Sequence, residues 1–202
     1  YIEGSARWEF RYLQAILKRD PRLNATFIAS SLGPEIARNS QEHIERFPSR
    51  PEDAFLYDLV ILGDVDPAFF RDEELAMLEK LVRDRGASLL VLCGAEHTPT
   101  AYADTVLASL MPVRFDPDLD WEDVADSVYP VLTPEGVSSM VMTLDDDPEA
   151  NERIWSRMAP LDYVPPLLAP TLGATVLVGL SDTGTRSTAY PRVAGPRYGT
   201  GQ

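Results

Sequence analysis

The sequence contains little of what several classes of protein require. Its one cysteine, Cys93, cannot form an internal disulfide, so the sequence leaves the redox compartment open. No apolar run approaches the roughly 20 residues that a helix needs to span a bilayer. Basic residues are outnumbered 32 to 18 by acidic ones, which gives a net charge of −14. Because so acidic a chain repels phosphate backbones and anionic lipids, we expect no nucleic-acid partner.

The remaining composition is that of a globular protein. The 202 residues are 45% hydrophobic and 25% charged, enough for a core without disulfides or metals. We predict one domain over residues 1–202, with an irregular acidic insertion at about 113–172, where prolines and acidic residues are dense. We also expect the chain to be a fragment of a longer protein, since it begins at Tyr1 inside a predicted strand.

Strand and helix patterns alternate along the first half of the chain. The apolar run 58–64 predicts a central strand buried on both faces. Residues 1–3 and 25–29 predict further strands, and 88–92 predict another buried strand. Helices are predicted at 72–85, at 102–110, and after residue 7. The last of these has an apolar face formed by Trp8, Tyr12, Leu13, Ile16 and Leu17. This order predicts an α/β fold with a mainly parallel sheet and helices on both faces.

Parallel sheets usually bind ligands at the carboxyl ends of their strands. Here we expect that edge to carry Glu3 and Arg7 near the first strand and Asp64 and Asp66 after the central one. The first pair either binds a small polar ligand or forms an ion pair. The two aspartates either act as a metal or acid–base pair or cap the next turn.

Several short motifs, in order, resemble a class I glutamine amidotransferase-like domain. The resemblance is closest to bacterial domains carried on large membrane proteins, often with von Willebrand factor A modules. The matching segments are Glu3-Gly4, 7–13, Tyr57-Asp58, 62–64, Arg85-Gly86, 89–91, Trp155, 173–177 and 197–199. The resemblance implies a flavodoxin-like three-layer sandwich. It also implies a membrane-associated full-length protein, with the membrane side open, whose other modules or a protein partner would be the binding partners.

The glutaminase reaction of that family needs a cysteine nucleophile on a strand-to-helix elbow and a histidine base. Cys93 follows a predicted strand, but Val91 stands where the elbow requires a small residue, and Pro99 interrupts any helix that would start there. No histidine follows His97, whereas the family's catalytic histidine comes late in the chain. We therefore predict a non-catalytic interaction or ligand-sensing module with no cofactor.

Two alternatives remain open. One is a cysteine-dependent hydrolase or amidotransferase that uses Cys93 with Glu96 and His97. The other is a divalent-metal-binding domain, since acidic residues cluster in the insertion. These clusters lack the glycine and terminal glutamate of a calcium-binding loop, which favours a solvated loop instead. The clustered residues are Asp116, Asp118, Asp120 and 145–147. Trp121 and Trp155 lie in the same insertion and are predicted to pack it or to contact a partner.

Overall fold

A computed structural model describes residues 1–5, 7–32, 42–115, 123–163, 167–181 and 190–196. These residues form two compact units, one within residues 1–109 and the other within residues 110–197, and each is described by itself. In the described ranges, no helix has the length and apolar character needed to cross a membrane.

A four-stranded parallel sheet forms the centre of the first unit. Its strands are β1 (Ile2–Glu3), β2 (Ile28–Ala29), β3 (Leu59–Leu62) and β4 (Ser88–Val91), in the order β2-β1-β3-β4. All three neighbouring pairs are parallel. Helices α1 (Trp8–Arg19), α2 (Pro51–Ala54) and α3 (Asp72–Arg83) flank the sheet. The order is that of a flavodoxin-like fold, which confirms the predicted fold class.

The strongest sequence patterns form the core of this unit. In β3, Val60, Ile61 and Leu62 are buried, as expected for a central parallel strand. Helix α3 buries Leu78 and Leu81 completely. Its first turn is acidic, which complements the helix dipole, and the chain turns away at Gly86 with φ +77°. The helix ends at Arg83, two residues before the predicted end.

The predicted apolar face of α1 is wrong in part, because Trp8, Tyr12 and Ile16 are exposed. Its aromatic residues Trp8 and Tyr12 are 68% and 65% exposed, and they stack on each other with ring centroids 6.2 Å apart. Phe10 is buried instead and packs edge-on against Phe27. The helix carries a second apolar set at i, i+3 and i+7, which is an equally good amphipathic spacing. That set combines Phe10 with Leu13 and Leu17 of the predicted face, and it is the one that faces inward.

Two other predicted elements differ from the structure. Strand β4 was expected to be buried, but Ser88 and Leu90 are exposed, because β4 is an edge strand of the described sheet. The helix expected at 102–110 is instead two short 3-10 segments, Thr100–Tyr102 and Val106–Leu110.

The second unit is mainly antiparallel. Its strands are β5 (Val113–Phe115), β6 (Asp123–Leu132), β7 (Leu161–Tyr163), β8 (Leu167–Pro170), β9 (Ala174–Ser181) and β10 (Tyr190–Pro196). Four of them form a sheet in the order β10-β9-β6-β7, and β5 pairs with β8. Its helices are α4 (Pro134–Val137) and α5 (Pro148–Ser156), with a 3-10 segment at Met140–Met142. The acidic segment 113–172 therefore contains regular strands and helices.

Candidate functional site

The carboxyl ends of the parallel strands bring together several of the predicted site residues. Glu3 ends β1, Asp64 lies two residues after β3, and the loop beginning at Cys93 follows β4. Because β1, β3 and β4 are neighbours and parallel, these three positions meet at one edge of the sheet. Hydrogen bonds join all three, so the predicted edge exists as a connected polar cluster.

The carboxylate of Glu3 is the most deeply buried charge of this cluster, with 0% exposure. Its Oε1 accepts hydrogen bonds from the backbone N–H of Gly4 at 3.0 Å and of Asp64 at 2.9 Å. Its Oε2 accepts from the Tyr1 hydroxyl and the Arg7 guanidinium, both at 3.0 Å. Four donors within the protein thus satisfy both oxygens, and the acid joins β1, β3 and α1.

Arg7 connects Glu3 to the third strand end. Its Nη2 donates to Glu3, and its Nη1 donates to the carbonyl oxygen of Cys93 at 3.2 Å. The buried Nε of Arg7 has no hydrogen-bond partner among the described residues. Burial opposes the charge of Arg7, but the hydrogen bond and negative charge of Glu3 outweigh it and raise the Arg7 pKa. Of the two predicted readings for this pair, the ion pair is the one the structure contains.

Asp64 holds the loop after β4. Its carboxylate is 5% exposed. Oδ1 accepts from the backbone N–H groups of His97 and Thr98, both at 2.8 Å, and Oδ2 accepts from that of Glu96 at 3.0 Å. The Thr98 hydroxyl also donates to the Gly63 carbonyl at 2.8 Å, on the same strand end as Asp64. One carboxylate therefore fixes three consecutive peptide groups.

The ionisation of Asp64 follows from these contacts. Burial alone would raise its pKa, but the three backbone donors and the positive charge of Arg7 hold the pKa below its ordinary value. The carboxylate is consequently charged at neutral pH, and a general acid at this position is excluded.

Two glycines allow the carboxylates to approach the backbone. A Cβ built on Gly63 would lie 2.3 Å from Oε2 of Glu3, and one built on Gly94 would lie 2.1 Å from Cγ of Asp64. Only residues without a side chain fit there. The space beside each carboxylate is thus filled by main chain.

Cys93 lacks the electrostatic setting of a nucleophile. The residue is exposed. The surrounding protein nevertheless removes enough water from the thiol to raise its pKa, and the negative charge of Asp64 adds to this, giving a value of about 11. Catalytic cysteines instead have a lowered pKa, since the thiolate is the reactive form. Among the described residues, no side chain hydrogen-bonds to the Cys93 sulfur.

The chain after Cys93 does not form a nucleophile elbow. In an elbow a helix starts directly after the nucleophile. Here the Gly94 N–H donates to the Thr98 carbonyl at 3.0 Å, which closes a tight loop. The next regular element is the 3-10 segment that starts at Thr100.

Glu96 and His97 contribute their backbone N–H groups to this cluster. The Glu96 side chain is 72% exposed and that of His97 30% exposed. His97 Nε2 lies 3.8 Å from Glu96 Oε2. Asp66, the remaining candidate, is exposed, and its Oδ1 accepts from the Ala68 N–H at 2.8 Å, which caps the 3-10 segment Pro67–Phe69.

The predicted acidic clusters differ in what the structure describes of them. Asp116, Asp118, Asp120 and Trp121 lie outside the described residues. Residues 145–147 are exposed, and Asp147 caps α5. Trp155 is half-buried and donates from its indole nitrogen to the Met142 carbonyl at 3.0 Å. Within the described ranges, no three histidine, cysteine or acidic side chains converge as a metal site would require.

Sequence reasoning missed two polar side chains that support this edge. Thr98 is fully buried through its bond to Gly63, and the buried Tyr102 donates from its hydroxyl to the Val65 carbonyl at 2.8 Å. Burial raises the pKa of Tyr102, with further contributions from Asp66 and Asp64, so its hydroxyl stays a donor. No local pattern in the sequence indicates either contact, because both partners are more than thirty residues away.

These features define an α/β protein whose strand-end polar groups bind one another. No protein-family model and no curated protein sequence matches the chain. Among solved structures, it is similar to the cytoplasmic protein STM1381 from Salmonella typhimurium LT2, with a TM-score of 0.60 and 18% identity, covering 94% of this chain and 78% of that one. At this identity the likeness concerns the fold alone.

Proposed function

We propose that the chain is a non-catalytic, glutamine amidotransferase-like module for protein interaction or ligand sensing in a membrane-associated bacterial protein. The proposal is supported by the hydrogen bonding and ionisation of the residues at the carboxyl ends of the parallel strands. Both carboxylates there accept hydrogen bonds from the protein itself, and the only thiol has a raised pKa. Groups already bound in this way are structural supports.

The argument against catalysis is electrostatic. A cysteine nucleophile needs a nearby positive group or base to stabilise its thiolate. At Cys93 the surrounding protein removes water from the thiol, and the carboxylate of Asp64 disfavours a second negative charge more strongly than Arg7 favours it. Moving Asp64 away would release the loop it holds, so the same residue that orders this edge also suppresses the thiolate.

The amidotransferase-like assignment rests on the sequence motifs. Their resemblance implies a flavodoxin-like sandwich, and the sheet order β2-β1-β3-β4 is compatible with that expectation. The membrane-associated context likewise comes from the resemblance.

A glutamine hydrolysis assay tests the proposal. The purified chain, at high concentration with L-glutamine, is expected to release no more ammonia than Cys93→Ala, because the thiol is almost entirely protonated at neutral pH. An active glutaminase measured in parallel sets the detection limit. Ammonia release that disappears in Cys93→Ala would contradict the proposal and favour the hydrolase alternative.

A further inference from the structure

The second unit exposes an apolar segment that runs from the last residue of α4 toward α5. Four aliphatic or thioether side chains are largely open to solvent here, and we call them the apolar rim. They are Val137 (49% exposed), Met140 (88%), Val141 (75%) and Leu144 (52%). Clustered exposed apolar side chains in a globular unit indicate a contact surface, whereas single ones do not. Methionine is common on surfaces that accept varied apolar partners.

A groove of about 550 Å³ adjoins the rim. Val137 belongs to both, so the rim and the groove meet at this residue. One part of its lining is apolar and comes from β6, namely Pro130, Val131 and Leu132. Another part of the lining consists of four acidic residues. We call the entire groove, with its apolar and acidic lining, the acidic groove. Those residues are Asp145, Asp146, Glu149 and Glu152. The volume suits one or two side chains of a partner.

Hydrogen bonds within the second unit hold this surface in shape. The Trp155 indole donates to the Met142 carbonyl at 3.0 Å, and the Leu144 N–H donates to Oδ1 of Asn151 at 2.8 Å. Both bonds fix the rim segment to α5. At the other end, Thr133 caps α4 by accepting from the Gly136 N–H at 3.0 Å. A partner therefore meets side chains whose backbone is already ordered, which lowers the entropic cost of binding.

The negative charge of the second unit favours a positively charged partner. Residues 110–197 include fourteen acidic residues, six arginines and no lysine. Such a field attracts cations and accelerates their association, and it repels nucleic acids and anionic membranes. A partner complementary to both parts of the surface needs positive charge and apolar side chains on one face.

We propose that the acidic groove and the apolar rim together bind a basic, amphipathic peptide segment of a partner protein. An arginine or lysine side chain enters the groove, with its aliphatic stem against Val131 and Leu132. Its cation approaches Asp146 and Glu149, and it shares Glu149 with the exposed Arg153, whose Nη1 lies 3.7 Å from Glu149 Oε2. Apolar side chains on the same face of the peptide cover Met140 and Val141. This inference specifies the kind of partner for the interaction role proposed above, and it rests on that role. Glutaminase activity at Cys93 would leave it standing.

A synthetic peptide is a sufficient probe. We suggest a fluorescein-labelled amphipathic helix of about 14 residues, with leucine on one face and lysine or arginine on the other. Fluorescence anisotropy should show binding that is at least about tenfold tighter than that of the same peptide with glutamate in place of each basic residue. Raising the salt from about 0.1 to 0.5 M should weaken the basic peptide severalfold.

Paired substitutions locate the contact. Met140→Ser with Val141→Ser, and separately Asp146→Asn with Glu149→Gln, should each weaken binding by about tenfold. Leu172→Ser, at a fully exposed turn of the same unit, and Asp104→Asn, in the first unit, are matched controls expected to change binding by less than about twofold. All six exchanges concern exposed side chains, and unchanged thermal unfolding should confirm that the four variants fold.

Three outcomes would overturn the inference. The acidic and basic peptides binding equally would remove the charge argument. Wild-type affinity in both paired variants would place the contact elsewhere. Concentration-dependent dimerisation in sedimentation, lost in the Met140→Ser and Val141→Ser variant, would show that a second copy of the chain covers the rim.

Discussion

Replacing Glu3 with alanine is expected to lower the free energy of unfolding by about 4 kcal/mol. The change removes a fully buried acceptor and leaves the guanidinium of Arg7 without its carboxylate partner. It also leaves the buried backbone N–H of Asp64 without an acceptor. Urea unfolding followed by circular dichroism measures the difference.

Two further variants separate the buried charge from general effects of acid removal. Glu3→Gln keeps an acceptor oxygen and the side-chain size, so we expect about half the loss. Glu9→Ala removes an exposed acid from the first turn of α1 and should cost less than about 1 kcal/mol. A Glu3→Ala protein no less stable than Glu9→Ala would contradict the structural role of Glu3.

Asp64→Asn is expected to lower the free energy of unfolding by about 3 kcal/mol at neutral pH. The carboxylate accepts three backbone N–H bonds with two oxygens. An asparagine offers one oxygen and places an N–H₂ group against a donor, which leaves at least one buried N–H unsatisfied. Asp66→Asn is the matched control, because Asp66 accepts one N–H at an exposed turn and should cost under about 1 kcal/mol.

The Asp64 effect should depend on pH in one direction. The folded pKa of Asp64 is depressed, so its ionised form stabilises the folded state above the unfolded-state value of about 3.9. This stabilisation is lost as the pH falls through the folded pKa. The gap between wild type and Asp64→Asn should therefore be widest at neutral pH and narrow below about pH 4. A gap that stays constant down to pH 2 would contradict the depressed pKa.

The parts of the fold that were predictable have strong local signals. The apolar run of β3 and the acidic start and glycine end of α3 each specify their element with few alternatives. The inward face of α1 was not predictable in the same way, since the helix carries two overlapping apolar sets that have Leu13 and Leu17 in common. Which one is buried depends on Phe27, more than fifteen residues away. The exposure of β4 likewise depends on its position at the edge of the sheet, and no local sequence pattern indicates that position.

The candidate site shows the same division. The alternation of strands and helices was enough to place Glu3, Asp64 and Cys93 at one edge, since parallel strands align their carboxyl ends. Their roles depend on tertiary contacts. Glu3 accepts from the Asp64 N–H across 61 residues of sequence, and Asp64 accepts from the Thr98 N–H across 34 residues. Glu96 and His97 were predicted as candidates for their side chains. In the structure their backbone N–H groups donate to the Asp64 carboxylate.

The acidic segment 113–172 was predicted only in part. Its density of prolines and aspartates predicts a solvated loop, and residues 145–147 are indeed exposed. The groove they border is lined on another side by residues of β6, namely Pro130, Val131 and Leu132. A surface formed from two separate elements leaves no periodic signal in the sequence.

The alkylation rate of Cys93 as a function of pH tests the central claim most directly. The chain has a single cysteine, so iodoacetamide labelling followed by mass spectrometry reports this thiol alone. With a pKa of about 11, the rate should rise about tenfold per pH unit up to pH 10 without a plateau. At pH 7 it should be roughly 300-fold below that of an ordinary cysteine with a pKa near 8.5. A plateau reached at or below pH 8 in the folded protein would reveal a stabilised thiolate and contradict the assignment of a non-catalytic edge.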